Sequence, residues 1–321
     1  MAIKVNENTR ERADVIVVGG GAAGLSAAIV LSRSLRSVVI VDSGQPRNAP
    51  AGAAHNVFTR DGVSPLELIR LSRVEAESYG VRFVVGQATS GKREHDGLIT
   101  IELNDGTRIS ARRVLLATGL VDELPDIPGL RELWGRDVLH CPYCHGWEVR
   151  GRRIGVLSTG PMSVHQALLF HQLSPHVTFF HNGAAPLTDL QVDQFSALGI
   201  DVIEGRVQHL VLDDGRLQAV AVEGRADVKV DALTLSPRFV ARADLFEALG
   251  GTVSEHPAGV GTHVETDASG RTAVEGVWAA GNVTDLAAMV TASAGAGVSV
   301  AAAMNGDLVL EDAGLALLAP A

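Results

Sequence analysis

Cys141 and Cys144 are the two cysteines of the chain, and each has a histidine directly outside it, His140 and His145, in the run HCPYCHGWE. A CxxC pair flanked by imidazoles admits three kinds of chemistry: half of a zinc site, a disulfide that opens and closes, or two inert buried thiols. A closed zinc site takes four tetrahedral ligands, usually as two pairs from separate loops. Four ligands within residues 140–145 are too cramped for that, and no metal is expected. A redox pair works through thiolates, and an imidazole with a reference pKa of ~6.5 is well suited to taking protons from thiols. Spacing alone leaves the redox pair and the inert pair both standing.

A second set of residues has the geometry for holding phosphates. Gly19, Gly21 and Gly24, with Ala22 and Ala23 between the last two, form GxGxxG, and Asp42 follows Gly24 by 18 residues. The first glycine permits a tight turn, the second lets a pyrophosphate reach the backbone, and the third lets helix and strand pack closely. An acid at the end of the following strand suits a ribose diol and disfavours a 2′-phosphate, so FAD or NAD fits this site and NADP does not.

These residues need particular elements around them. ADVIVVGGGAAGLSAAIVLSRSLRSVVIVD runs from a valine-rich strand through a glycine break and a helical period to a second strand ending at Asp42, a βαβ unit. RRVLLATG (112–119) and EGVWAAGN (275–282) read as two further strands, far apart in sequence. Between them RRIGVLST, ALLFHQLS and HVTFFHNG repeat the strand, helix, strand order. The organisation expected is α/β with two Rossmann-like domains, the second inserted in the first. A dinucleotide-binding domain would comprise 1–121 and 241–321, and a CxxC-bearing insert 122–240. The Ala/Leu-rich end AGLALLAPA is expected to fray.

Composition sets limits on partners. The 321 residues are 46% hydrophobic and 20% charged, with a net charge of -10, and the longest basic runs are pairs such as Arg112-Arg113. That argues against a nucleic-acid footprint or an anionic membrane surface and favours small molecules. The start shows no export leader, and Ala287 to Ala303 is too short for a span and rich in small residues, so the expectation is a cytoplasmic protein with a buried helix there.

The motifs LLATG (115–119) and TAVEGVWAAGN (272–282) resemble the second and third motifs of two-dinucleotide flavoprotein disulfide reductases. That resemblance implies FAD, with Ala117, Thr118, Gly119 and Gly281 at the cofactor. It also implies a helix starting near Ala288 whose N-terminus faces the flavin. Asn282 departs from the family, which has an aspartate there. Across residues 13–306 the chain resembles the low-molecular-weight thioredoxin reductases, in which an aspartate follows the CxxC and serves as its acid/base partner. His145 stands in that place.

The insert departs further. Where an NADPH-binding domain would carry GGGxSA the chain reads LSTGPMSVHQA, and where it would carry HRRxxxR the stretch VTFFHNGAAPL has neither arginine nor lysine. With CPYCHGWE, AAGN and GPMSVHQALLF, these features most resemble the FAD-dependent dithiol oxidases that close the disulfides of natural products such as holomycin and gliotoxin. The subfamily's flavin-contacting loop resembles SGQPRNAPAGAAHNVFTRDG (43–62), which makes Ser43, Pro46, Arg47, Asn48 and Asn56 candidates for flavin contact. The resemblance implies a small-molecule dithiol as substrate and O2 reduced to H2O2. It also implies a homodimer, with Cys141 meeting the substrate, Cys144 nearer the flavin, and His145, or else His140, as base. The alternative is a thioredoxin reductase fed by NADPH or ferredoxin, and a redox sensor without turnover is a further one.

Overall fold

The computed structural model describes residues 11–318. Residues 1–10, on which the expectation about an export leader falls, and 319–321 lie outside the described residues. The chain divides into two compact units, one of residues 1–47, 66–121 and 239–321, the other of 48–65 and 122–238. Residues 48–65, grouped by sequence with 1–121, therefore cluster with the segment that carries the cysteines.

The first unit is built on a seven-stranded sheet. Its centre is β1 (Glu11–Val18), which continues through the turn into α1 (Ala22–Arg33) and returns as β2 (Val38–Asp42), parallel to β1 with Val15 opposite Val38 and Val18 opposite Val41. Side chains alternate along β1: Val15 and Val17 enter one core with Leu31 and Trp278, while Ile16 and Val18 enter another with Val114 and Leu116. A parallel strand covered on both faces reads as an unbroken apolar run, which is why VIVV carries no polar residue. Each such fully buried side chain contributes roughly 1.5–3 kcal/mol.

On the other side of β1 lies the strand Arg108–Leu116. Its far edge is shared: Ile99–Leu103 pairs antiparallel with its first half, and Val277–Ala279 pairs in parallel with Val114, Leu115 and Leu116. The two strands expected far apart in sequence thus become neighbours.

The C-terminal helix Val290–Leu318 buries only one stripe: Ser293, Gly297, Val300, Ala301, Met304 and Leu308. The helix expected to be buried over 287–303 is thus buried along one face only. A side chain at Gly297 would overlap the Ala23 carbonyl, so the helix lies backbone-to-backbone against α1. The expected fraying from Ala313 is also corrected. The helix runs through Leu318, the last described residue, with residues 313–318 exposed. Alanine and leucine are strong helix formers and sustain it there without burial. The basic pair Arg112-Arg113 is occupied by this helix: Arg112 meets Asp312 at 2.6 Å, and Arg113 meets Asp307 at 2.6 Å and Glu311 at 2.7 Å. Among the described residues no helix is long and apolar enough to cross a membrane.

The second unit has a five-stranded sheet in the order Asp201–Ile203, Val177–Phe180, Ile154–Leu157, Ala232–Thr234, Val138–Leu139, every pairing parallel. The helix Ser163–His171 joins two of these strands, giving the strand, helix, strand order read from sequence. A three-stranded antiparallel sheet, Val207–Asp213, Arg216–Val222 and Val228–Lys229, completes the unit. The cysteines directly follow the edge strand Val138–Leu139. Their place beyond the carboxyl end of a parallel strand is where such sheets present ligand sites.

Candidate active site

In the first unit the glycine turn is shaped by close approach. Gly19 has φ +109°, and a Cβ there would overlap the Ala117 carbonyl; a Cβ at Gly24 would overlap the carbonyl of Gly19. Only glycine serves at either position. Gly21, the N-cap of α1, has no neighbour within 4 Å of where a Cβ would sit, so the helix N-terminus opens onto space. Ala22 and Ala23 begin the helix there. The Asp42 carboxylate receives the Gly20 N–H on one oxygen and the Gly44 N–H on the other, which ties β2 to the turn beside the exposed Ser43. An open helix N-terminus with an anchored acid at the next strand end fits a dinucleotide with free ribose hydroxyls.

The later motifs converge on the same unit. The Ala117 N–H donates to Val18 at 2.8 Å, the Thr118 hydroxyl to the Arg242 carbonyl at 2.6 Å, and Gly119 and Gly281 take left-handed φ of +71° and +81°. Asn282 shows why an amide stands here. Its Nδ2 donates to the carbonyls of Asp285 and Ala288, both at 2.9 Å, and its Oδ1 accepts from Arg47 at 3.3 Å. A carboxylate could accept from Arg47 but could make neither donation. Arg47 also lies over the Phe239 ring, 5.3 Å from its centroid.

The second unit holds the cysteines. Cys141 is the N-cap and Pro142 the first residue of the short helix Pro142–His145, where the missing proline N–H costs nothing. Both cysteines are half-buried. The N–H groups of Cys144 and His145 both donate to the Cys141 carbonyl at 3.2 Å. Two side-chain amides hold the carbonyls beside the pair: Gln166 donates to that of His140 at 2.7 Å, and Asn56 to that of Tyr143 at 2.6 Å. Asn56 and the nearby Asn48 thus lie in the unit of the cysteines, while Arg47 lies in the other.

His145 is half-buried, and its Nε2 is enclosed with no hydrogen-bond partner among the described residues. Burial pushes its pKa below the usual value; the Glu148 carboxylate opposes that shift and the neighbouring His55 adds to it. His55 comes from the 48–65 loop, with Nδ1 3.3 Å from Asp61 and Nε2 3.5 Å from Glu148. Neither His55, Glu148 nor Asp61 is a candidate on sequence grounds. Glu148 closes the HCPYCHGWE run and was the nearest signal, whereas His55 and Asp61 are joined to it by folding alone. No group of three or more histidines, cysteines or acids suited to a metal ion occurs among the described residues.

The insert's expected nucleotide loop is tied up internally. The N–H groups of Thr159 and Gly160 both donate to the Ser163 hydroxyl, at 3.0 and 3.3 Å. At the next strand end, one guanidinium that sequence reading missed, that of Arg206, lies against Gly183.

A family model described as pyridine nucleotide-disulphide oxidoreductase matches residues 13–304. The thioredoxin reductase tcpT of Claviceps purpurea is 34% identical over 254 residues, 76% of this chain and 79% of that protein. The thioredoxin reductase sirT of Leptosphaeria maculans is 30% identical over 308 residues, 91% and 93% of the two chains. The crystal structure of HlmI has 44% sequence identity and a TM-score of 0.89, covering 98% of this chain and 97% of that one.

Proposed function

We propose that this chain, which belongs to the pyridine nucleotide-disulphide oxidoreductase family and is a thioredoxin-reductase-like oxidoreductase with FAD as its cofactor, is a dithiol oxidase. Its substrate would be a small dithiol that leaves as an intramolecular disulfide. The observation that carries this reading is His145, an imidazole immediately after Cys144, held below its ordinary pKa by burial and with an unpartnered ring nitrogen. A neutral imidazole at neutral pH takes a proton from a thiol, which a carboxylate of reference pKa ~4 does poorly.

In this reading the FAD pyrophosphate takes the α1 turn at Gly19, Gly21, Ala22, Ala23 and Gly24, and a ribose takes Asp42 and Ser43. Arg47, Asn48, Ala117, Thr118, Gly119, Gly281, Asn282 and Ala288 hold the remainder, with Asn56 serving the cysteine turn instead. When bound, FAD takes the electron pair from the reduced cysteines and hands it to an external acceptor, which we propose is O2, giving H2O2. The chain's own residues do the rest. A substrate thiolate attacks Cys141 of the Cys141–Cys144 disulfide, Cys144 leaves, and the second substrate thiol, deprotonated by His145, displaces Cys141. His140, whose carbonyl is fixed by Gln166, is the second choice as base.

The occupied Thr159 and Gly160 N–H groups support independence from NADPH, since phosphates would need such donors. Arg206 is the feature that favours the reductase alternative, as a single cation where the reductase pattern has three arginines. Oxygen consumption with dithiothreitol and a panel of small dithiols, run with and without NADPH, decides between them. Steady H2O2 production without NADPH is expected. Rapid anaerobic bleaching of the flavin by NADPH, with no dithiol-driven oxygen uptake, would sink the oxidase reading. The homodimer remains part of the proposal, and sedimentation of the purified holoenzyme tests it.

A further inference from the structure

Oxidation of a dithiol by a disulfide leaves more protons than one imidazole can hold. Two S–H bonds break in the substrate, one S–S bond forms there, the Cys141–Cys144 bond breaks, and the electron pair ends on the two cysteine sulfurs. With both sulfurs leaving as thiolates, two protons are released. His145 takes one, and the second needs another acceptor within reach.

The second unit supplies a base there. His55 is mostly covered, with 21% of its side chain exposed, and stands between two carboxylates: Asp61, 3.3 Å from Nδ1, and Glu148, 3.5 Å from Nε2. Glu148 lies three residues beyond His145. The loop bearing His55 is fastened to the cysteine turn by the Asn56 donation to Tyr143, and Asp61 accepts the Asn56 N–H at 3.1 Å. Both carboxylates reach water, with Asp61 72% and Glu148 41% exposed. Arg150, farther along this segment, is turned onto the Trp147 ring at 3.9 Å and donates to the Trp147 carbonyl. Glu148 and His55 are the charged groups that act on His145, and His55 has Asp61 as its own partner.

We propose, resting on the reading of His145 as base, that His55 is a proton-relay residue, passing the proton that His145 does not take through its two carboxylate partners, Glu148 and Asp61, to solvent. The relay couples two residues that share no segment of chain. It assigns the 48–65 loop a part in the reaction beyond holding the turn.

The test is anaerobic loss of flavin absorbance on mixing the holoenzyme with dithiothreitol, a readout that does not depend on the electron acceptor. His55→Gln should slow bleaching by roughly 10²-fold in dilute buffer, the low end for a proton-transfer group, and added imidazole should restore much of the rate. Asp61→Asn, an isosteric change at an exposed site, should show a smaller loss with the same imidazole dependence. Wild-type bleaching in His55→Gln, or a loss that no imidazole concentration relieves, overturns the relay. His145→Gln measured in parallel separates the two ideas. A slow His145→Gln beside an unaffected His55→Gln removes the relay alone, and a wild-type His145→Gln removes the base and the relay together.

Discussion

The side-chain amide of Asn56 donates to the backbone carbonyl of Tyr143 at 2.6 Å, joining a loop to the middle of the CPYC turn across 87 residues of sequence. Asn56 holds this contact from a left-handed backbone with φ of 59°, a conformation asparagine tolerates better than most residues. Asn56→Asp keeps the shape and removes the donor. It should cost about 0.5–1.5 kcal/mol of stability, since an exposed carbonyl loses its partner to water and meets a negative charge. Dithiol turnover should fall severalfold while the flavin absorbance stays. A variant that loses its flavin instead would return Asn56 to the cofactor.

The cysteines make the plainest prediction. Cys141→Ser and Cys144→Ser should each abolish dithiol turnover in a protein that stays yellow, because most of the residues proposed to hold the flavin lie in the other unit. Normal turnover in either variant refutes the redox disulfide.

As the proposed base, His145 should set the acid limb of the pH–rate profile. Burial favours the neutral ring, so the limb should lie below the ordinary histidine value of ~6.5. His145→Ala should cost about 10²–10⁴-fold in turnover and erase that limb. The same shift bears on stability. Below pH ~6.5 the unfolded chain binds a proton at this position more readily than the folded one, so His145 lowers stability as pH falls. In the alanine variant, melting temperature should fall less steeply between pH 7 and pH 5 than in the wild type.

Asn282→Asp restores the residue usual in the wider family, yet here it should do harm. The two donations to Asp285 and Ala288 vanish, and a carboxylate then faces two carbonyls, at a cost of about 1–3 kcal/mol that the stronger pairing with Arg47 offsets in part. Thermal melting and the rate of flavin release measure it. An unchanged melting temperature would show that the 282–288 loop does not depend on the amide.

How far the molecule was legible in its sequence depended on the range of the interaction. The βαβ unit was plain because strand, glycine turn, helix period and Asp42 are all local, and Gly19 and Gly24 each answer to a clash with a nearby backbone. His55 and Asp61 were not, because their link to Glu148 is made by folding and no local pattern marks a loop histidine as half-buried. Arg206 was not legible either: it comes from beyond the next strand, Asp201–Ile203, rather than from the residues that directly follow Val177–Phe180. The end of the C-terminal helix was misjudged differently, by taking a terminal Ala/Leu-rich run as frayed when Ala and Leu are strong helix formers.

The grouping of residues 48–65 with 122–238 has a consequence for anyone who moves this chemistry between scaffolds. A graft cut at the two obvious borders would transplant both cysteines, His145 and Glu148 but leave His55, Asn56 and Asp61 behind. The transferable module is discontinuous: eighteen residues from early in the chain travel with it, or the thiol pair arrives without its brace.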